Sequence, residues 1–176
     1  MTTSQKTKRI VLSGIMASLA TAVLVLASFF NMIDLTLTVV ASFFPLFILL
    51  EIGRPYAVGV YVSASILSLI LAPSKFAPAC FLLLCGYYPL IKPFLDKFKI
   101  IVGYLLKLLL FNAVLTVILV LGTTVLGLPK DETAIEIGIY LLGNFTFVIY
   151  DFCILQIVRF YFAKIRQRLK VDKLLK

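Results

Sequence analysis

Two charged residues, Lys107 and Asp151, interrupt the apolar stretches in the second half of this 176-residue chain. A charge inside an apolar helix is costly unless it is paired, and charges so placed often mark a site for an ion or a substrate. At ~1.5 Å per residue, both would lie ~10–12 Å inside the same end of two neighbouring antiparallel helices. Two interpretations stay open: the residues form an ion pair, or Lys107 extends its ammonium group to the cytoplasmic interface.

Polar and aromatic residues continue from Asp151 along one face of its helix. Tyr140, Asn144, Phe147 and Asp151 follow one another at steps of four, three and four residues, which places them on a single helical face. This pattern is typical of a polar seam that holds helices together, and it is also compatible with a site for a solute or an ion. The candidate substrate-binding residues are Lys107, Asn112, Tyr140, Asn144, Phe147 and Asp151.

The composition indicates the environment that these residues occupy. Apolar residues make up 62% of the chain, charged residues only 14%, and the mean hydropathy is +1.10. A soluble domain typically has about 25% charged residues, and one of this length could not bury so much apolar surface in one core. Because the apolar runs are continuous rather than alternating, helices are favoured over a barrel.

The apolar runs predict an all-α polytopic membrane protein with six transmembrane helices in one bundle. Each helix needs about 20 residues to cross a hydrocarbon core, and Pro45 is expected to kink the second one. Residues 1–176 form a single integral membrane domain in this prediction, with a basic tail at 163–176. The predicted helices cover about residues 10–30, 35–50, 55–72, 76–91, 100–126 and 133–162.

Prolines and glycines mark several predicted helix ends. Pro55 suits the first turn of the third helix, and Pro78 the first turn of the fourth. Pro89 and Pro93 are expected to bend or end that fourth helix. Gly127-Leu128-Pro129 stops the fifth helix, and Thr133-Ala134-Ile135-Glu136 is typical of a capping box that opens the sixth.

The distribution of basic residues predicts the orientation. Lys and Arg collect in the cytoplasmic loops and tails of membrane proteins. With six crossings, both basic ends and the joints at 51–54 and 92–99 lie on one side, and the other side holds only Lys75 and Lys130. The prediction is therefore a multi-pass protein of the cell membrane with both termini cytoplasmic.

Several classes of function are disfavoured by the residues. The chain has no histidine for a hydrolase triad or a zinc site, and it lacks a Gly-rich phosphate loop ending in Lys-Ser/Thr. Three cysteines, all within apolar runs, argue against a disulfide framework. We therefore predict no enzyme activity, no metal, no cofactor and no nucleic-acid partner. The lipid bilayer is the first predicted partner, and it accounts for the net charge of +9.

The first helix carries small residues at four-residue steps. Gly14, Ser18 and Ala22 share a stripe, with Ala17 and Thr21 beside it. Small residues at this spacing let another helix approach closely. The stripe serves packing within the bundle or the docking of a separate subunit.

The layout of six short-looped helices and the string from Thr7 to Ala20 resemble the S components of energy-coupling-factor (ECF) vitamin transporters. The resemblance implies a membrane subunit that captures a small solute such as a vitamin. It also implies that separate ATPase subunits drive transport and that the small residues of helix one contact a shared transmembrane coupling subunit. Those residues are Gly14, Ala17, Ser18, Thr21 and Ala22.

Two departures and two alternatives accompany this resemblance. Pockets in the family lie toward the outer side, whereas the polar residues here cluster toward the predicted cytoplasmic side, and no tryptophan is present to stack on a flat ring. The chain is also similar in size and helix number to the rod-shape-determining membrane protein D, a scaffold of cell-wall elongation. A third class is an ion or solute carrier that uses Asp151 and Lys107.

Overall fold

The computed structural model describes residues 3–30, 33–125 and 133–165, and every regular element in these ranges is a helix. Five-residue π-helical segments follow α4 and α7. The α-helices are α1 (Thr3–Ala27), α2 (Asp34–Glu51), α3 (Arg54–Leu71), α4 (Phe76–Cys80), α5 (Tyr88–Leu95), α6 (Ile100–Val125) and α7 (Thr133–Phe160); the π-helical segments are Phe81–Cys85 and Tyr161–Ile165.

Among the described residues, six helical stretches are long and apolar enough to cross a membrane, the number that the sequence predicted. Length and composition are the basis of this assignment. The stretches are Gln5–Ala27, Asp34–Glu51, Arg54–Leu71, Phe76–Leu95, Ile101–Val120 and Ile137–Ala163. The chain is thus compatible with a multi-pass membrane protein.

The first helix differs from its prediction at both ends. It begins at Thr3, seven residues before the predicted Ile10, because helical hydrogen bonding continues beyond the apolar residues that a bilayer selects. It ends at Ala27, and Phe30 follows in a tight turn that is closed by a hydrogen bond from its backbone N–H to the Ala27 carbonyl. Asp34 opens α2, and its carboxylate accepts a hydrogen bond from the Leu35 N–H at 2.7 Å.

The fourth span, which was predicted as a helix over about residues 76–91, is a helical stretch from Phe76 to Leu95 whose geometry changes along its length. The helix changes to π geometry at Phe81–Cys85, passes through a turn at Gly86 and continues as α5 to Leu95, beyond Pro93. The hydroxyl of Tyr61 donates a hydrogen bond to the Leu82 carbonyl at 2.7 Å, which supports the π segment from a neighbouring helix.

Prolines lie where the sequence placed them, with different effects. Pro55 occupies the first turn of α3, as predicted. Gly53 lies two residues earlier, and its φ of +124° suits a residue without a side chain. Pro78 occupies the first turn of α4. Pro45 lies buried inside α2, which continues through it; the kink stays a prediction. Residues 126–132 lie outside the described ranges, and so do the side chains of the predicted capping box.

The chain divides into two compact units, Met1–Lys92 with Phe160–Lys176 (unit 1) and Pro93–Arg159 (unit 2). In unit 1, α1, α2 and α3 pack through small residues, so that Ala20, Ala41 and Ala64 are completely buried. The prediction of a single membrane domain stays a prediction.

The π-helical segment after α7 joins unit 1 by side-chain contacts. Tyr161 donates a hydrogen bond from its hydroxyl to the Glu51 carboxylate at 2.6 Å, and its ring meets the Phe47 ring edge to face at 5.6 Å. Within unit 1, these contacts fix the π-helical segment to the end of α2.

Candidate functional site

The candidate site lies within unit 2, where the predicted site residues of α6 and of α7 each lie on one face of their helix. On α6, Gly103, Lys107 and Phe111 are buried at four-residue steps, whereas Leu105 and Leu109 between them are exposed. These three residues therefore define one packed face of α6. The corresponding face of α7 holds Phe147, Tyr150, Asp151 and Ile154.

The buried end of this face is an ion cluster around Lys107. The Lys107 Nζ atom lies 2.5 Å from Asp96 Oδ1 and 3.4 Å from Asp151 Oδ2. The side chains of Lys107 and Asp151 are 5% and 3% exposed, and that of Asp96 is 41% exposed. Lys107 thus forms the ion pair with Asp151, and it also reaches Asp96, one residue beyond the end of the fourth span.

Asp96 is the member of the cluster that sequence reasoning missed. It was assigned to the charged joint at residues 92–99 and to no site. Its partner Lys107 follows eleven residues later, just after the joint turns into α6. The sequence did contain a signal for this contact: the joint has one acidic residue, and it leads into a helix that carries a lysine within its apolar run.

Two amide side chains form the next layer of the site. Asn112 Nδ2 donates to Asn144 Oδ1 at 2.9 Å, and Asn144 Nδ2 donates to Asn112 Oδ1 at 3.0 Å. Each Nδ2 also donates to a backbone carbonyl four residues earlier in its own helix, at 2.8 Å. Both N–H donors of each amide are therefore used.

An aromatic pair and a hydroxyl pair complete the contact. Phe111 and Phe147 stack with centroids 4.6 Å apart and an angle of 20° between the rings. The hydroxyls of Thr116 and Tyr140 lie 2.8 Å apart and share a hydrogen bond. Gly143 makes room for this packing, because a Cβ there would lie 3.2 Å from the Leu115 side chain.

These pairs lie in antiparallel register. Each step toward the C-terminus on α6 is matched by a similar step toward the N-terminus on α7. The pairs run from Lys107–Asp151 through Phe111–Phe147 and Asn112–Asn144 to Thr116–Tyr140. We call this arrangement the polar seam; it brings together all six predicted substrate-binding residues.

No protein-family model, curated protein or solved structure matches this chain. The polar seam itself therefore carries the functional argument.

The polar seam can provide charges and hydrogen bonds to a ligand only if the ligand replaces bonds that the seam residues already make with one another. The amide donors of Asn112 and Asn144 are already used, and the ammonium of Lys107 is held by two carboxylates. A polar solute would have to replace one of these bonds with an equivalent one. Such a site would discriminate strongly, because a solute that lacks the matching group would leave a buried polar atom unpaired.

The residues predicted to contact a coupling subunit divide into two groups. Ala17 and Thr21 are buried within unit 1, where the Thr21 hydroxyl donates to the Ala17 carbonyl at 2.8 Å. Gly14, Ser18 and Ala22 are exposed, and nothing lies within 4 Å of the position of a Cβ at Gly14. The first group serves internal packing, and the second is accessible to a partner.

Proposed function

We propose that this chain is the substrate-binding membrane subunit of an ECF-type uptake transporter for a small solute such as a vitamin. It would span the cell membrane six times, with both termini cytoplasmic, and depend on separate coupling and ATPase subunits. The six predicted residues of the polar seam would bind the solute.

The observation that carries this proposal is the burial of Lys107 and Asp151 as a charged pair between apolar helices. Both side chains are at most 5% exposed, and ionisable residues so placed in a membrane span are expensive and commonly functional. A pair retained only for stability is less expected, since apolar residues of similar volume often stabilise as well.

The proposed orientation is supported by the exposed basic residues of the described joints. Arg54, Lys97 and Lys99 are exposed at joints on the proposed cytoplasmic side. Lys75 lies on the opposite side, where its ammonium group caps the end of α3 through the Leu69 and Ala72 carbonyls. In a variant without native cysteines, a membrane-impermeant maleimide should label Lys75→Cys in intact cells and Lys99→Cys only after permeabilisation. The reverse pattern would refute the orientation.

The transport proposal is tested by purification in mild detergent followed by solute screening. We expect ATPase and coupling subunits to co-purify, and one vitamin to raise the unfolding temperature of the isolated chain. Asn144→Leu should abolish that shift, whereas Thr146→Val, on an exposed part of the same helix, should retain it. Loss of the shift in both variants, or in neither, would argue against the seam as the binding site.

A second candidate, a membrane scaffold without a small-molecule ligand, is favoured by the reciprocal amide bonds. Asn112 and Asn144 satisfy each other as helix-pairing residues do. A scaffold predicts co-purification of a stable protein partner, such as cell-wall proteins, with no solute shift. Recovery of cell-wall proteins alone would overturn the transport proposal.

A further inference from the structure

The segment between the fourth and fifth spans, residues 94–99, presents two aromatic and two basic side chains at one end of both spans. Phe94 and Phe98 are 53% and 45% exposed, and their rings meet edge to face at 5.8 Å. Lys97 and Lys99 are also exposed. The fourth span ends at residue 95 and the fifth begins at residue 101, so the segment lies where a bilayer interface would be.

The backbone of this segment is held against the first turns of α6. Gly103 is buried, and a Cβ there would lie 3.1 Å from the Leu95 carbonyl oxygen, so the glycine permits a close approach. One turn later, Lys107 binds the Asp96 carboxylate. These two contacts lie on one face of α6, and they leave Lys97 and Lys99 exposed.

The ion pair also changes the charge that the segment presents. Asp96 is the only acidic residue between positions 92 and 100 of the sequence. Because its carboxylate is paired with Lys107, no acidic residue of the segment itself is left to oppose the charges of Lys97 and Lys99. A basic pair beside exposed aromatic rings matches the phosphate and upper acyl chains of an anionic phospholipid.

We infer that residues 94–99 bind the headgroup phosphate of an anionic phospholipid, and that Lys107 supports this binding by pairing with the Asp96 carboxylate. The inference rests on the membrane-spanning arrangement within the proposed function, and it is independent of any solute. Lys107 acts here as a positioning residue, because it does not touch the lipid.

The first test compares phosphatidylglycerol with phosphatidylcholine of the same acyl chains. Both lipids are titrated into the full-length protein in an uncharged detergent, and binding is followed by native mass spectrometry. Lys97→Gln/Lys99→Gln should weaken phosphatidylglycerol binding about 30-fold, because each lysine near an anionic surface contributes about fivefold. Phosphatidylcholine binding should not change, and inorganic phosphate at millimolar concentration should not compete.

The matched control is Lys6→Gln/Lys8→Gln, which removes the same charge from exposed positions of α1. It should lower phosphatidylglycerol affinity less than threefold, as expected for a change of net charge alone. Equal losses in the two double variants would overturn the inference, and so would equal losses for the two lipids. If a co-purified protein binds residues 94–99 and no lipid does, the segment is a site for a protein partner, and the inference is also overturned.

The second test addresses Lys107. Lys107→Gln removes the ammonium group that pairs with the exposed Asp96 carboxylate, and it should weaken phosphatidylglycerol binding about fivefold. Lys107→Gln/Asp96→Asn should restore the binding. If Lys107→Gln does not fold, Asp96→Asn alone decides the point. Unchanged affinity in that variant supports the pairing, whereas a fivefold gain shows that Asp96 already repels lipid and refutes the role of Lys107.

Solute stabilisation measured on Lys97→Gln/Lys99→Gln keeps the two proposals separate. A variant that loses lipid but retains the solute shift supports both. Retained lipid binding without any solute shift in the wild-type chain would count against the transport proposal alone.

Discussion

The two units satisfy their buried polar groups in different ways. In unit 1, buried serine and threonine hydroxyl groups donate to backbone carbonyls three or four residues earlier in their own helices. This holds for Thr21, Thr38, Ser42, Ser65 and Ser68. In unit 2, the side chains of the polar seam bond from α6 to α7 through Lys107–Asp151, Asn112–Asn144 and Thr116–Tyr140.

The helices of unit 1 pack through the close fit of small residues, whereas those of unit 2 pack through polar side chains that pair at fixed positions along both helices. A hydroxyl that bonds to its own helix does not select a neighbour, and its small volume lets helices approach closely. An amide or an ion that bonds to another helix fixes both the neighbour and the register. Unit 1 should therefore be sensitive to added volume, and unit 2 to removed polar partners.

The largest effect is expected at the ion cluster. Lys107→Met leaves Asp96 and Asp151 without the ammonium that they share, and breaking a buried pair costs about 3 kcal/mol of unfolding free energy. Reversible unfolding in mixed detergent measures the change, with the exposed Lys97→Met as the control. Lys107→Met/Asp151→Leu should recover part of the loss. A double variant less stable than the single would contradict the pairing.

Added volume in unit 1 should have the second-largest effect. Gly86→Ala places a Cβ 2.6 Å from the Tyr61 ring and 2.8 Å from the Phe81 carbonyl oxygen, so it should cost about 2 kcal/mol. Gly59→Ala on α3 meets nothing within 4 Å and should be neutral or slightly stabilising. The same unfolding measurement compares them. Equal changes of unfolding free energy in the two variants would mean that steric fit does not limit the stability of this region.

The amide layer of the seam should show a smaller coupling. A double-mutant cycle on Asn112→Ala and Asn144→Ala should yield a coupling free energy of about 0.6 kcal/mol, the average for hydrogen bonds between membrane helices. Each amide retains a bond to its own helix, which limits the coupling. A coupling of zero would show that the reciprocal bonds do not select the register.

The smallest effect is expected at the hydroxyls of unit 1. Ser65→Ala removes a hydroxyl bonded only locally to the Tyr61 carbonyl. It should change the unfolding free energy by less than about 0.5 kcal/mol, because an own-helix bond contributes little in the helix interior. A loss comparable to that of the amide cycle would erase the distinction between the two units.

The six spans and the face of α7 were predictable because both follow from local patterns. Span length follows from apolar composition, and the face with Tyr140, Asn144, Phe147 and Asp151 follows from helical periodicity. Asn112 and Lys107 could be assigned to the same site because a short connection makes neighbouring helices antiparallel.

The π segment and Asp96 were not predictable because they depend on contacts between elements. The π geometry at Phe81–Cys85 is supported by Tyr61, twenty residues earlier on another helix. Asp96 joins the cluster because the last residue of α5, Leu95, approaches Gly103 closely. A pattern of apolar residues carries no information on either contact.

The hydrogen bond between Tyr161 and Glu51 has a consequence for biosynthesis. Its two residues are 110 positions apart. At a synthesis rate of roughly 5–20 residues per second, Tyr161 is made on the order of ten seconds after Glu51. Unit 2 is one continuous stretch, Pro93–Arg159, and its synthesis ends before Tyr161 is made. The whole of unit 2 is therefore synthesised before the hydroxyl group that completes this hydrogen bond of unit 1 is available.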